Sequence, residues 1–359
     1  MTEAIPQFLR ERIQSIPAPD PRWRSVAQNH LDHLTKPVGS LGVLESIAVQ
    51  LAAIFKGEMR TEFRKAAYVF AADHGVVAEG VSLYPAEVTA QMVRNFAEGG
   101  AAINVLCRAH GCKLTVVDAG VSGDLSGMAG VEHRKVRMGS RNMACEAAMT
   151  EEELAAALEV GTLLADRAHA DRQNLVALGE MGIGNTTSAS AITAMLTGCP
   201  ATEVTGSGTG LNEDGRRHKA SVIERAIGLH FGSRAESASA VEILRRVGGL
   251  EIAAMTGFYL AGSSHGMALV CDGFISTSAA AIAAQLAPNV KAYLFAGHRS
   301  EEPGHRRLLE WMDLQPILQL HMRLGEGSGA VLAMPVLESA AALYREMATF
   351  ASAGVSQAQ

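Results

Sequence analysis

Residues 175–191 read LVALGEMGIGNTTSASA. An apolar run ends at Glu180, a turn with Gly182 and Gly184 follows, and Asn185, Thr186 and Thr187 then open a helical run. A short, continuous apolar run closed by an acid or a glycine marks a strand buried on both faces of a parallel sheet. The pattern recurs in AAYVFAAD (66–73), LTVVDAG (114–120), ALVCDG (268–273) and AYLFAG (292–297). Longer amphipathic runs lie between, such as TEEELAAALEVGTLLADRAHA (150–170), where Thr150 and Glu153 form a capping box. This alternation predicts a doubly wound, mostly parallel α/β sheet. The segment 23–55, broken by TKPVGSLG, and the segments at roughly 303–321 and 328–350 read as helical. They are expected to pack as a smaller helical domain (1–59 plus 303–359) beside a large domain spanning 60–302.

The chain has 359 residues, 48% hydrophobic and 19% charged, with a net charge of −6. That is ample core material for a globular protein. It lacks the clustered positive face that nucleic acid requires, so no nucleic-acid partner is expected. No apolar run reaches the roughly 18 residues that span a bilayer, so no membrane partner is expected either. Five cysteines, an odd set, and a mixed, charged start (MTEAIPQFLRERIQ) point to reduced thiols in a cytoplasm. Cys107 and Cys112 in CRAHGC form a zinc half-site without a second pair, so the expectation is no metal and no cofactor.

Asp73, Asp118, Glu180 and Asp272 each stand at the carboxyl end of a predicted strand, and His298 follows the fifth. Ligands of open parallel sheets bind outside that edge. Asp118 and Asp272 also suit a capping role. After Glu180, small residues admit backbone N–H groups to an anion, hydroxyls donate, and a helix start adds partial positive charge. Gly182, Asn185 and Thr186 are therefore phosphate candidates, although no GK[ST] or G-x-G-x-x-G pattern occurs. A second glycine turn, TGSGTGLNEDGRRHK (205–219), adds Gly206, Gly208 and Lys219, and FAGHRSEEPGH (295–305) adds Ser300 and Arg299. Glu326 lies between two glycines in MRLGEGSGA (322–330), which suggests proton chemistry beside the phosphate loops. Together these features point to group transfer on a phosphorylated sugar or nucleotide.

Six motifs in consistent order carry a more specific resemblance: LTKPVGSLGVLE (34–45), AADHGVVAEGVSLYPAEVTAQMV (71–93), GEMGIGNTTSASA (179–191), DGFIS (272–276), GHRSEEPGH (297–305) and MRLGEGSGAVLAMPVLE (322–338). From residue 34 to about 345 the chain resembles the nicotinate-nucleotide–dimethylbenzimidazole phosphoribosyltransferases of cobalamin nucleotide-loop assembly. The resemblance implies a homodimer, each subunit with a Rossmann-like large domain and a small domain of N- and C-terminal helices. It implies transfer of the phosphoribosyl group of nicotinate mononucleotide to 5,6-dimethylbenzimidazole, with inversion at the anomeric carbon. Glu326 falls on the family's general base, and burial beside a flat apolar ligand would raise its pKa. Tyr84, Gln91 and Met92 fall in the segment that lines the base pocket, with Leu324 beside Glu326. Glu180 is expected as a second acid facing the ribose or the reacting bases, and Asp73 and His74 as structural or supporting groups.

Two departures matter. Ser207 stands where relatives often carry an arginine, which shifts phosphate binding toward Lys219 and Arg299. Tyr84 occupies a place that varies, so the preferred benzimidazole is open. A phosphoribosyl-pyrophosphate signature is absent, which favours a mononucleotide donor without Mg²⁺. Hydrolysis or base exchange on the same donor, and a nucleotide-sensing module without catalysis, are the competing readings.

Overall fold

The structure, a computed structural model, describes residues 5–208 and 210–356. Residues 1–4, part of the segment read as lacking a leader, lie outside the described residues, as do Thr209 of the second glycine turn and residues 357–359.

The strands are β1 (Lys65–Ala72), β2 (Lys113–Gly120), β3 (Val131–His133), β4 (Leu175–Met181), β5 (Ala268–Cys271), β6 (Leu294–His298) and β7 (Pro316–Leu318). They form one seven-stranded sheet in the order β3-β2-β1-β4-β5-β6-β7, with every pairing parallel. The five predicted strands are present with ends moved by one or two residues. Two short edge strands were not foreseen. β3 is too short to show an apolar run. β7 falls inside the stretch read as helix to residue 321. That helix stops at Asp313, whose φ is +54°, and Pro316 then begins an edge strand, where a missing N–H is tolerated.

Helices α1 (Gln7–Gln14), α2 (Pro21–Asp32) and α3 (Val43–Ile54) precede the sheet. Between β1 and β2 run α4 (Glu87–Glu98) and α5 (Ala102–Ala109), and α6 (Glu151–Ala170) leads into β4. Between β4 and β5 lie α7 (Asn185–Thr197), α8 (Ala201–Val204), α9 (Glu213–His230), α10 (Ala240–Val247) and α11 (Leu250–Ser264). After β5 come α12 (Phe274–Leu286), α13 (Pro303–Met312), α14 (Ser328–Glu346) and α15 (Phe350–Ala353). The α6 capping box forms as its sequence predicts. Every residue from Leu250 to Ser263 is buried in α11, which packs closely on α6. A Cβ on Gly161 would stand 1.7 Å from the Ala254 carbonyl oxygen, and one on Gly257 would stand 2.1 Å from that of Leu158. Only glycine permits that approach.

The terminal segments meet each other as well as the sheet. α3 touches both α2 and α14, Leu34 bridges to Thr349, and the rings of His30 and Tyr344 lie 4.6 Å apart. α14 also covers β4, β5 and β6, while α13 lies against α7, α8 and α12. No helix of the described residues is long and apolar enough to cross a membrane. β1 has β2 on one side and β4 on the other, so the chain winds away from it in opposite directions. The crevice between the carboxyl ends of β1 and β4 is the switch point at which such sheets bind ligands.

Candidate active site

A cleft of about 350 Å³ opens at this edge, lined by the ends of β4, β5 and β6 and by the loop before α14. Glu180 and Glu302 are its buried carboxylates. Asn185, the first residue of α7, donates to Glu180 Oε2. Burial, then the charges of Asp272 and Glu251, push the Glu180 carboxyl up to about 8, so at neutral pH it holds its proton.

Behind it the backbone turns left-handed for three residues: Gly325 (φ +90°), Glu326 (φ +65°) and Gly327 (φ +83°). Glycine adopts this conformation freely, whereas a glutamate there costs of order 1 kcal/mol. The turn is packed tightly, since a Cβ on Gly179 of β4 would stand 2.1 Å from Gly327 N. Asp272 fixes it by accepting from Gly327 N (3.1 Å) and Ala330 N (3.0 Å) at the start of α14. Asp118 accepts from Val121 N at 2.9 Å. Asp272 thus holds the start of α14, whereas Asp118 holds a loop and also pairs with Lys135 at 3.3 Å, so it caps no helix. Glu326 is buried, but its carboxylate is turned from the cleft toward the amino end of α5, where Oε2 lies 3.4 Å from Ile103 N. Burial raises its pKa, while the Ile103 N–H holds the charged form.

The other end of the cleft gathers a helix start, hydroxyls and a lysine around a glycine turn. Gly184, with φ +94°, caps α7 and lets its amino end face the cleft. Gly182, Asn185, Thr186, Gly208 and Ser300 all line it. Lys219 reaches this group from α9 and is fully buried. Its Nζ donates to Thr186 Oγ1 at 2.7 Å, and burial lowers its pKa to about 8 against the pull of Glu302. Glu302 accepts from Gly208 N at 2.9 Å. Gly206 is buried against Glu302, outside the cleft lining, where a Cβ would stand 2.0 Å from Oε2. Ser207 lines a neighbouring groove with Arg216 and Arg323. Arg299 does not line the cleft, and its N–H is used by the Leu318 carbonyl at 2.8 Å.

Of the four base-pocket candidates, Tyr84 and Leu324 line the cleft, with Ile183 and Phe274. Both are about half exposed, at 51% and 55%. Gln91 and Met92 lie on α4 outside this lining: Gln91 is exposed, and Met92 packs half-buried on the core. Thr89 of the same helix accepts from Ile183 N at 3.1 Å. Asp73 accepts from Ser122 N at 2.7 Å, and His74 bonds Glu251 and Ser188. Three groups escaped sequence reasoning. They are Glu302, Arg323 and Glu251, none of which the sequence singles out as a candidate site residue. Their partners are distant in sequence, so no local signal marked them.

The family model described as "Phosphoribosyltransferase" matches residues 16–355. The nicotinate-nucleotide–dimethylbenzimidazole phosphoribosyltransferase of Desulforamulus reducens is 47% identical over 351 residues, 98% of this chain and 99% of the relative. The enzyme of that name from Pseudomonas aeruginosa is 49% identical, over 94% of this chain and 95% of the relative. The crystal structure of the Thermus thermophilus enzyme superimposes with a TM-score of 0.88 at 48% identity, covering 94% of this chain and all of that one.

Proposed function

The chain belongs to the phosphoribosyltransferase family that those enzymes represent, and on that premise we propose how its residues divide the transfer. The reaction is phosphoribosyl transfer from nicotinate mononucleotide to 5,6-dimethylbenzimidazole, a step of cobalamin biosynthesis that releases nicotinate. The donor phosphate takes the amino end of α7, with Thr186, Gly182, the Gly208 turn, Ser300 and the Lys219 ammonium around it. Gly206 supports this turn from behind by admitting Glu302.

The acceptor base lies against Tyr84, Leu324 and Ile183, and Gln91 and Met92 of α4 take no part in this wall. One benzimidazole nitrogen attacks the anomeric carbon, and the bond to nicotinate breaks with its electron pair leaving on the pyridine nitrogen. The other nitrogen loses its proton to Glu326. Attack opposite the departing ring inverts the anomeric carbon. Glu180 is protonated near neutrality, so it serves as a hydrogen-bond donor. Glu326 is the better base, because the Ile103 N–H favours its charged form. It reaches the acceptor by swinging past Gly325. The observation that carries this assignment is the left-handed φ of Glu326, a conformation that glycine would adopt without strain.

The same proposal includes a homodimer, supported by the exposed Tyr84 and Leu324 at the cleft, and a cytoplasmic location, supported by five free cysteines. It also includes the helical domain of 1–59 plus 303–359. Contacts among α2, α3 and α14 support that division, although α13 and β7 pack with the sheet side. The test is a product assay with nicotinate mononucleotide, with and without 5,6-dimethylbenzimidazole. Acceptor-dependent nicotinate release with α-ribazole 5′-phosphate as product is expected. Stoichiometric release without acceptor would mean hydrolysis, and no turnover with intact donor binding would mean a sensor.

A further inference from the structure

Directly behind the cleft wall are two ionisable side chains that the transfer does not use. Glu251, in the first turn of α11, is 0% exposed and His74, just beyond β1, is 3% exposed. His74 Nε2 lies 2.6 Å from Glu251 Oε1, and Nδ1 lies 3.0 Å from Ser188 Oγ. Ser188 Oγ is also 3.2 Å from the Gly248 carbonyl oxygen. The imidazole thus joins the Glu251 carboxylate, which accepts from Nε2–H, to the Ser188 hydroxyl, which also reaches the Gly248 carbonyl, and all three side chains are buried. Replacing such a pair by apolar side chains is often neutral or stabilising, so stability is a poor reason to keep it. Glu251 Oε2 moreover has no hydrogen-bond partner.

Location supplies the reason. Ser188 lies one turn along α7 from Asn185, which donates to Glu180, and two residues beyond Thr186, which receives Lys219. A Cβ on Gly182 would stand 3.3 Å from Asn185 Nδ2 and 3.5 Å from Glu251 Oε1, so both groups flank the same glycine of the cleft wall. We propose that His74 and Glu251 are positioning residues for the transfer: with Ser188 they clamp the amino end of α7 to β1 and α11, and so fix where Asn185, Thr186 and Glu180 meet the donor. This proposal rests on the phosphoribosyl-transfer reading above. Glu180 is faced by Asp272 from the end of β5, by Glu251 from α11 and by Glu326 from the loop before α14, with Asn185 donating to it. Removing the Glu251 charge therefore lowers the proton affinity of Glu180.

Glu251→Gln keeps the shape and removes the charge. The donor KM should rise about tenfold with the acceptor KM unchanged, and the limb of the pH profile set by Glu180 should move about half a unit or more to lower pH. Ser188→Ala keeps the His74–Glu251 contact and cuts the clamp. It should raise the donor KM about threefold and leave the pH profile in place. If Glu251→Gln does not fold, Ser188→Ala decides alone. Wild-type donor KM in the folded variants would overturn the proposal, as would loss of thermal stability and kcat with donor KM and pH profile unmoved. Failure of the wild-type protein to transfer to an acceptor would instead refute the reading on which the proposal rests.

Discussion

The two ends of the cleft are made differently. At the phosphate end each group is tied down: Lys219 to Thr186, Gly208 to Glu302, and Asn185 to Glu180. Its cation is buried before any ligand arrives. At the base end, Tyr84 and Leu324 stand half exposed, and Glu326 faces away toward α5. On the proposed assignment the donor site is preformed, whereas the acceptor site would be completed when the base covers its apolar walls and Glu326 turns inward. Preformed electrostatics suit a fixed dianion. An adjustable apolar wall suits a flat base whose substituents vary.

Variants at the two ends should separate cleanly if this contrast holds. The largest effect is expected for Glu326→Gln: turnover falls by at least ~10² while donor affinity stays within a few-fold, measured by steady-state kinetics beside calorimetry. Lys219→Met should fold well, since it removes a buried charge, yet weaken donor binding roughly 30-fold by calorimetry and leave the acceptor KM alone. pH gives a milder version of the same loss. Lys219 loses its proton near pH 8, so the donor KM should rise roughly fivefold between about pH 7 and pH 9. Bound phosphate raises the amine pKa, so binding above pH 8 takes up protons; Lys219→Met should lose this pH dependence. The smallest effect is at the open wall: Leu324→Ala should raise the acceptor KM about threefold and leave donor binding unchanged.

Much of this was readable from local pattern. The strands of the sheet centre announced themselves because both faces are buried, and the Gly182–Thr186 stretch because a tight turn from a strand into a helix start needs small residues in fixed order. The edge strands β3 and β7 did not, being too short to show a period. Glu326 was conspicuous between glycines, but its reason was hidden. Three successive left-handed residues at 325–327 are a backbone property that composition does not display. Glu302 and Glu251 were invisible for another reason: their roles come from Gly208 and His74, brought to them only by the winding of the sheet. Gln91 and Met92 entered through family resemblance, and the structure leaves them on α4 beyond the described cleft.

The central claim is that the Glu326 carboxylate serves the transfer at the expense of the backbone that holds it. Glu326→Gly tests it most directly, with thermal unfolding and turnover measured on one preparation. Glycine relieves the left-handed strain, so Tm should hold or rise by about 1–2 °C while turnover falls at least ~10²-fold. A lower Tm with turnover retained would contradict the account, because the carboxylate would then belong to the fold.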